Sequence, residues 1–100
     1  MYYAPGVVQV RGTRSAVRQL ASIGAYIAES NPKAAPEIEA RLRKAVALLA
    51  RFPAIGRPGR LAGTRELVVS GTPYIIPYRV SGTYVDILAV FHAVQNRPLT

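Results

Sequence analysis

Apolar residues return in two rhythms along this chain. In the first half they come back every three or four positions. In the second half they gather in short runs, broken by Gly71-Thr72 and by Ser81-Gly82-Thr83. The first rhythm is that of helices with one buried stripe, and the second that of strands.

Val17, Leu20, Gly24 and Ile27 set the first stripe, widened by Ala16, Ile23 and Tyr26. Thr13 or Ser15 is placed to cap its start, because either oxygen accepts from a free first-turn amide. Gly24 costs about 1 kcal/mol against alanine inside a helix, and a close crossing of another backbone would be a physical reason to keep it. A second helix is predicted to open at Asn31-Pro32, with Ile38, Leu42, Ala45, Val46 and Leu49 as its stripe, and to stop at Phe52-Pro53. Two such helices joined by a short turn form an antiparallel hairpin whose apolar side needs a sheet to cover. Before them, residues 7–10 read as a short additional strand ending at Gly12.

The stretch 63–92 supplies the sheet. Its runs are rich in valine, isoleucine and tyrosine, and the separators are too short for a crossover, so neighbouring strands must be antiparallel. The last run is apolar on both sides: Val85, Ile87, Ala89 and Phe91 on one, Leu88 and Val90 with Tyr84, Asp86 and His92 on the other. The helices can cover one side only, which leaves the opposite side as a small second core or as an apolar surface for a partner. Pro77 lacks the amide a ladder needs, so a bulge or an unpaired amide position is expected there. The fold class is therefore α+β: an N-terminal strand, an antiparallel two-helix hairpin, then a three-stranded antiparallel β-meander. Residues 1–100 make one domain, with no internal repeat.

Composition narrows what that domain does. Half of its residues are apolar, enough for a core, and the net charge is +8, with lysine only at Lys33 and Lys44 and arginine elsewhere. Arginine's planar fork suits carboxylates and phosphates, so the partner classes are an acidic protein or a nucleic acid. There is no cysteine and one histidine, His92, which excludes disulfide and thiol chemistry and argues against a metal site. No apolar run is long enough for a membrane span, and the first ten residues do not read as a secretory signal. A cytoplasmic protein without a cofactor is the expectation.

Arg57 and Arg60 fall in the glycine-rich segment 54–63 and, with Arg79, are candidates for a basic site beside the sheet. Arg65 and Glu66 are strand neighbours and so point to opposite faces. Arg65 then shares a face with Leu67 and Val69, where it either enters a cleft or packs its stem on the sheet. Glu66 reads as a structural salt-bridge partner, or as a base in a nuclease. Tyr74, Tyr78 and Tyr84 are candidates to stack on bases, or bury their rings with the hydroxyl wet.

Several fragments in this order resemble one family. They are Tyr26-Ile27, Asn31-Pro32 with Ala34-Ala35, Gly56-Arg57, Gly63-Thr64-Arg65-Glu66-Leu67, the run from Pro73-Tyr74-Ile75-Ile76 through Pro77-Tyr78-Arg79-Val80, and Ile87-Leu88-Ala89-Val90-Phe91-His92-Ala93-Val94-Gln95. Together they resemble the RelE/ParE superfamily of toxins from bacterial type II toxin–antitoxin, or plasmid stabilisation, modules, over about residues 14–98. The resemblance implies a cognate acidic antitoxin that wraps and blocks the toxin in a hetero-oligomer. It also implies one of two targets. The RelE-like branch cleaves messenger RNA on the ribosome, and the ParE-like branch poisons DNA gyrase without a catalytic set of its own. In the nuclease branch the strand commonly reads Tyr-Arg followed by apolar residues, whereas Tyr74-Ile75-Ile76 stands here. The sequence therefore resembles the ParE branch more closely.

On that resemblance the target- or antitoxin-binding residues are Arg57, Arg60, Arg65, Tyr74, Tyr78, Arg79, His92 and Arg97. In the alternative nuclease reading Arg65, Arg79 and His92 would be catalytic. A third reading is a basic binding module with no toxicity.

Overall fold

A computed structural model describes residues 8–94. In chain order it holds β1 (Gln9–Gly12), α1 (Arg14–Ser30), α2 (Ala35–Arg51), β2 (Arg57–Pro58), β3 (Arg65–Val68), β4 (Tyr74–Ser81), β5 (Tyr84–Ile87) and β6 (Phe91–His92). One sheet runs β1-β5-β4-β3-β2, with β6 also on β4. The two helices pack on one of its faces, so the expected α+β arrangement is present, including the antiparallel meander β3-β4-β5. Gly71 and Gly82 take positive φ in the two connecting turns, a conformation that favours glycine.

Thr13 caps α1: its Oγ1 accepts from the Ala16 amide at 3.2 Å and donates to the Leu88 carbonyl at 3.3 Å. Asn31 does not open the second helix. It ends α1, donating its amide to Ile27, and Ala34 is the N-cap of α2 with Pro36 in the first turn. Proline fits there because first-turn amides lack intrahelical acceptors. The α2 stripe is as expected, with Leu42 and Leu49 buried and Ile38, Ala45 and Val46 packed against them.

The α1 stripe is only partly covered. Ile27 and Ala16 are buried, while Val17, Leu20 and Tyr26 are exposed. No backbone crosses at Gly24, since a Cβ there would meet only Glu39 Oε2, at 3.7 Å. The helices splay instead, leaving an apolar groove of about 380 Å³ between Leu20, Leu42, Val46, Ile76 and Val90.

Tyr78, Leu49, Ile76 and Val85 are the largest fully enclosed side chains and form the centre between helices and sheet. Burying a large aliphatic side chain of this kind contributes about 1.5–3 kcal/mol.

The last strand departs from simple alternation. Ile87 pairs with Tyr78 and Phe91 pairs with Ile75, so three residues of one strand oppose two of the other. This bulge shifts the phase by one residue. Val90 therefore joins Val85 and Ile87 in the helix-side core, and Phe91 lies outside that cluster, on the other face with Ile75. Pro77 explains the position. Its carbonyl accepts from Leu88 at 2.9 Å, so its nitrogen faces the same side, where the ladder is interrupted.

β1 closes the other edge of the sheet. It pairs with β5 in parallel, placing Arg11 beside Asp86 and Val10 beside Val85.

Candidate functional site

The sheet face away from the helices is the candidate site. Alternation and register place Arg11, Arg57, Glu66, Ile75, Pro77, Arg79, Tyr84, Asp86 and Phe91 on it. It combines apolar ground with arginines, most of them held by a neighbour.

At one end Arg11 grips Asp86 two-pronged, Nε to Oδ1 at 2.7 Å and Nη2 to Oδ2 at 3.2 Å. The same guanidinium stacks 3.8 Å from the centre of the Tyr84 ring. The Arg11 hydrogen bond holds the Asp86 carboxyl below its ordinary range, with Arg79 adding to the effect, and Asp86 raises Arg11 in return. Sequence reasoning missed Arg11. Its partner lies 75 positions away, and only the parallel β1–β5 register brings the two together.

At the other end Glu66 is buried, and its Oε1 accepts from Arg57 Nε at 3.2 Å and Nη2 at 3.1 Å. Arg57 is half exposed, so the pair turns a cationic edge outward. Between the two ends a bowl of about 180 Å³ is lined by Arg60, Leu61, Glu66, Pro77, Leu88 and Phe91. Its rim is the loop 59–64, closed by Gly59 donating to the Thr64 carbonyl and Thr64 Oγ1 donating to Leu61.

Arg65 and Tyr78 lie on the helix side and hold the approach to that loop. Arg65 Nη1 donates to the carbonyls of Ala54, at 3.2 Å, and Gly56, at 2.8 Å. The Tyr78 hydroxyl accepts from the Gly56 amide and donates to the Pro53 carbonyl, both at 2.8 Å. Tyr78 is wholly enclosed, so its ring presents no stacking surface.

Tyr74 and His92 also face the helices, in an edge-to-face contact with ring centroids 5.6 Å apart. Burial raises the Tyr74 phenol above its ordinary range, with Tyr26 adding to the shift. His92 Nδ1 accepts from the Val94 amide at 3.1 Å. Arg97 lies outside the described residues.

Arg65, Arg79 and His92 are thus not brought together. Arg79 is exposed on the free face, whereas Arg65 and His92 are on the helix face, beside Tyr78 and Tyr74 at separate points of β4. Of the expected cluster, Arg57 and Arg60 share the loop end and Arg79 stands beside Asp86. Among the described residues no group of three or more histidines, cysteines or carboxylates is placed to hold a metal ion. No described helix is long and apolar enough to cross a membrane.

The profile of the ParE toxin of the parDE type II toxin–antitoxin system matches residues 10–97. The chain belongs to this ParE toxin family. It is 52% identical over 90 residues, 90% of this chain and 93% of the relative, to Y4kP of Sinorhizobium fredii, described as a candidate toxin. Among solved structures, a chain of the chromosomal ParDE system of P. aeruginosa superposes with a TM-score of 0.78 at 24% identity, covering 87% of this chain and 97% of that one. A chain of the RelBE2 toxin–antitoxin complex of Mycobacterium tuberculosis superposes at 0.61 with 30% identity, covering 86% and 98%. The protein is therefore a type II toxin of the RelE/ParE superfamily, and its fold is the one shared by both branches.

Proposed function

We propose that this toxin acts on DNA gyrase, as a protein-binding poison rather than a nuclease, and that a cognate acidic antitoxin neutralises it in the cytoplasm. The observation that carries the reading is Ile75. It stands where the resemblance to the nuclease branch calls for an arginine, and it is buried on the free face opposite Phe91. A nuclease needs cationic and proton-transfer groups converging on one phosphate. Arg65, Arg79 and His92 diverge to two faces, and Arg65 is engaged by two loop carbonyls. What the free face offers is a largely apolar bowl with Arg60 in its lining and Arg57 on Glu66 beside it, chemistry suited to a protein surface bearing carboxylates.

The antitoxin half of the reading draws on the solved relatives, which come from toxin–antitoxin systems, and on the +8 net charge of this chain.

Purified toxin added to gyrase and relaxed plasmid tests the target. Loss of supercoiling with accumulation of cleaved, gyrase-bound DNA is the expected result. Full supercoiling at saturating toxin, together with cleavage of messenger RNA in a translating extract, would replace this reading with the nuclease one.

A further inference from the structure

The turn that follows α2 holds its backbone fast while its large apolar side chains meet solvent. Phe52 is 53% exposed and Ile55 49%, three residues apart. Apolar side chains exposed singly need no explanation. These two share a turn that the sheet fastens from within.

The Phe52 amide donates to the Leu48 carbonyl at 2.9 Å, and the Phe52 carbonyl accepts from the Ile55 amide at 3.1 Å. Two side chains from the meander then take the remaining corners. The Tyr78 hydroxyl binds the Pro53 carbonyl and the Gly56 amide, and Arg65 Nη1 binds the carbonyls of Ala54 and Gly56. Tyr78 is wholly enclosed, so the clamp is anchored in the core. Side chains carried on a fixed backbone lose less freedom on docking, and preset apolar anchors of this kind dominate the affinity of interfaces.

The surroundings give the chemistry of the partner. Arg51 precedes Phe52, Arg57 and Arg60 follow Ile55, and all three are exposed. Residues 51–63 contain no carboxylate. The complementary surface therefore has apolar pockets edged by acidic groups. A folded target with preformed pockets suits a fixed protrusion, whereas an extended inhibitor adapts its own shape to the surface it meets.

We propose that the turn at residues 52–55 is the anchor by which the toxin docks on gyrase. Phe52 and Ile55 enter apolar pockets of the enzyme, whose carboxylate edges meet Arg51 and the arginines of the following loop. This rests on the gyrase reading above and adds to it the contact that supplies most of the affinity. Tyr78 and Arg65 act through the turn, as positioning residues.

The test titrates full-length toxin against purified gyrase holoenzyme on plasmid DNA, and separately against the acidic protein encoded by the adjacent reading frame. Phe52→Ser and Ile55→Ser should each weaken the gyrase complex at least tenfold, about 1.4 kcal/mol, with melting temperature and inhibitor affinity near wild type. Phe52→Leu and Ile55→Val keep an apolar side chain and should bind gyrase near wild type. Tyr26→Ser, at a similarly exposed apolar position on α1, should change nothing. Arg51→Gln should slow association and lessen its salt dependence.

Unchanged gyrase affinity in the paired serine variant would overturn the anchor and leave the gyrase reading standing. Absence of any complex between unaltered toxin and gyrase would remove both. Loss of inhibitor affinity with gyrase affinity intact would overturn the proposal and assign the turn to the antitoxin. Loss of a toxin dimer, again with gyrase affinity intact, would assign it to a second copy. If a serine variant melts early, the Ile55 methyl signals of the unaltered toxin decide. They shift and broaden on addition of gyrase if Ile55 is an anchor, and stay unchanged if it is not.

Discussion

Tyr78 and Gly56 hold one another in place. The tyrosine hydroxyl accepts the glycine amide at 2.8 Å, and a Cβ on the glycine would lie 2.7 Å from that hydroxyl and 2.8 Å from the Glu66 carbonyl. The contact fixes where the chain leaves α2 and enters the loop that carries Arg57 and Arg60. Tyr78→Phe strands the Gly56 amide and the Pro53 carbonyl, at a cost of about 1–3 kcal/mol. That corresponds to a fall in melting temperature of about 4–8 °C per kcal/mol for a domain of this size. Gly56→Ala should destabilise at least as much, since a backbone carbonyl is among the atoms in the way. Thermal melts of both variants check this.

Arg65 and Arg79 differ by only their place in the fold, and substitution should separate them. Arg65→Ala removes both donors to the loop carbonyls and should lower stability by about 1–3 kcal/mol. Arg79→Ala, at an exposed position, should shift stability by no more than about 0.5 kcal/mol while weakening antitoxin or gyrase binding. Melting curves and a binding titration on the same preparations read both effects. An Arg79 variant that melts early but binds normally would reverse the assignment.

Glu66 is buried and depends on Arg57. Arg57→Ala removes the guanidinium fork from that carboxylate, in a bowl that Arg60 also lines. Loss of a partner to a fully buried charge costs more, but Arg57 is half exposed, and solvent reduces the penalty to about 1–3 kcal/mol. Arg57→Lys should recover only part, because a single ammonium cannot reproduce the guanidinium fork. Denaturant titration of the three proteins measures it.

Asp86 makes stability fall in acid. Its folded pKa is depressed by the Arg11 hydrogen bond, so the ionised form favours the folded state. The contribution is full above the ordinary carboxylate pKa of 3.8 and is lost as pH falls below it toward the lower folded value. Asp86→Asn should flatten that part of the stability curve and leave the neutral and alkaline parts parallel to wild type. NMR titration of the Asp86 carboxyl gives the direction independently.

Much of the fold was legible because it is local. The α2 stripe from Ile38 to Leu49 and the turns at Gly71 and Gly82 follow from spacing and turn chemistry within a few residues. Pro77 announced an interruption of the ladder, but not that the partner strand would supply the extra residue. That bulge moved Val90 into the core and Phe91 out of it, which strict alternation had reversed. The site was less legible because its contacts are distant in sequence. Arg11 meets Asp86 through a parallel pairing with no short-range signature. Tyr78 and Arg65 have the composition of binding residues, and only the path of residues 53–56 reveals that their polar groups are committed to the backbone.

Induction of the toxin inside cells without its inhibitor tests a gyrase target most directly. Covalent gyrase–DNA adducts measured within the first minutes of induction should rise well above the uninduced level while transcripts stay full length, and co-expression of the antitoxin should abolish the rise. Adducts at background beside messenger RNA cut within codons would contradict a gyrase target.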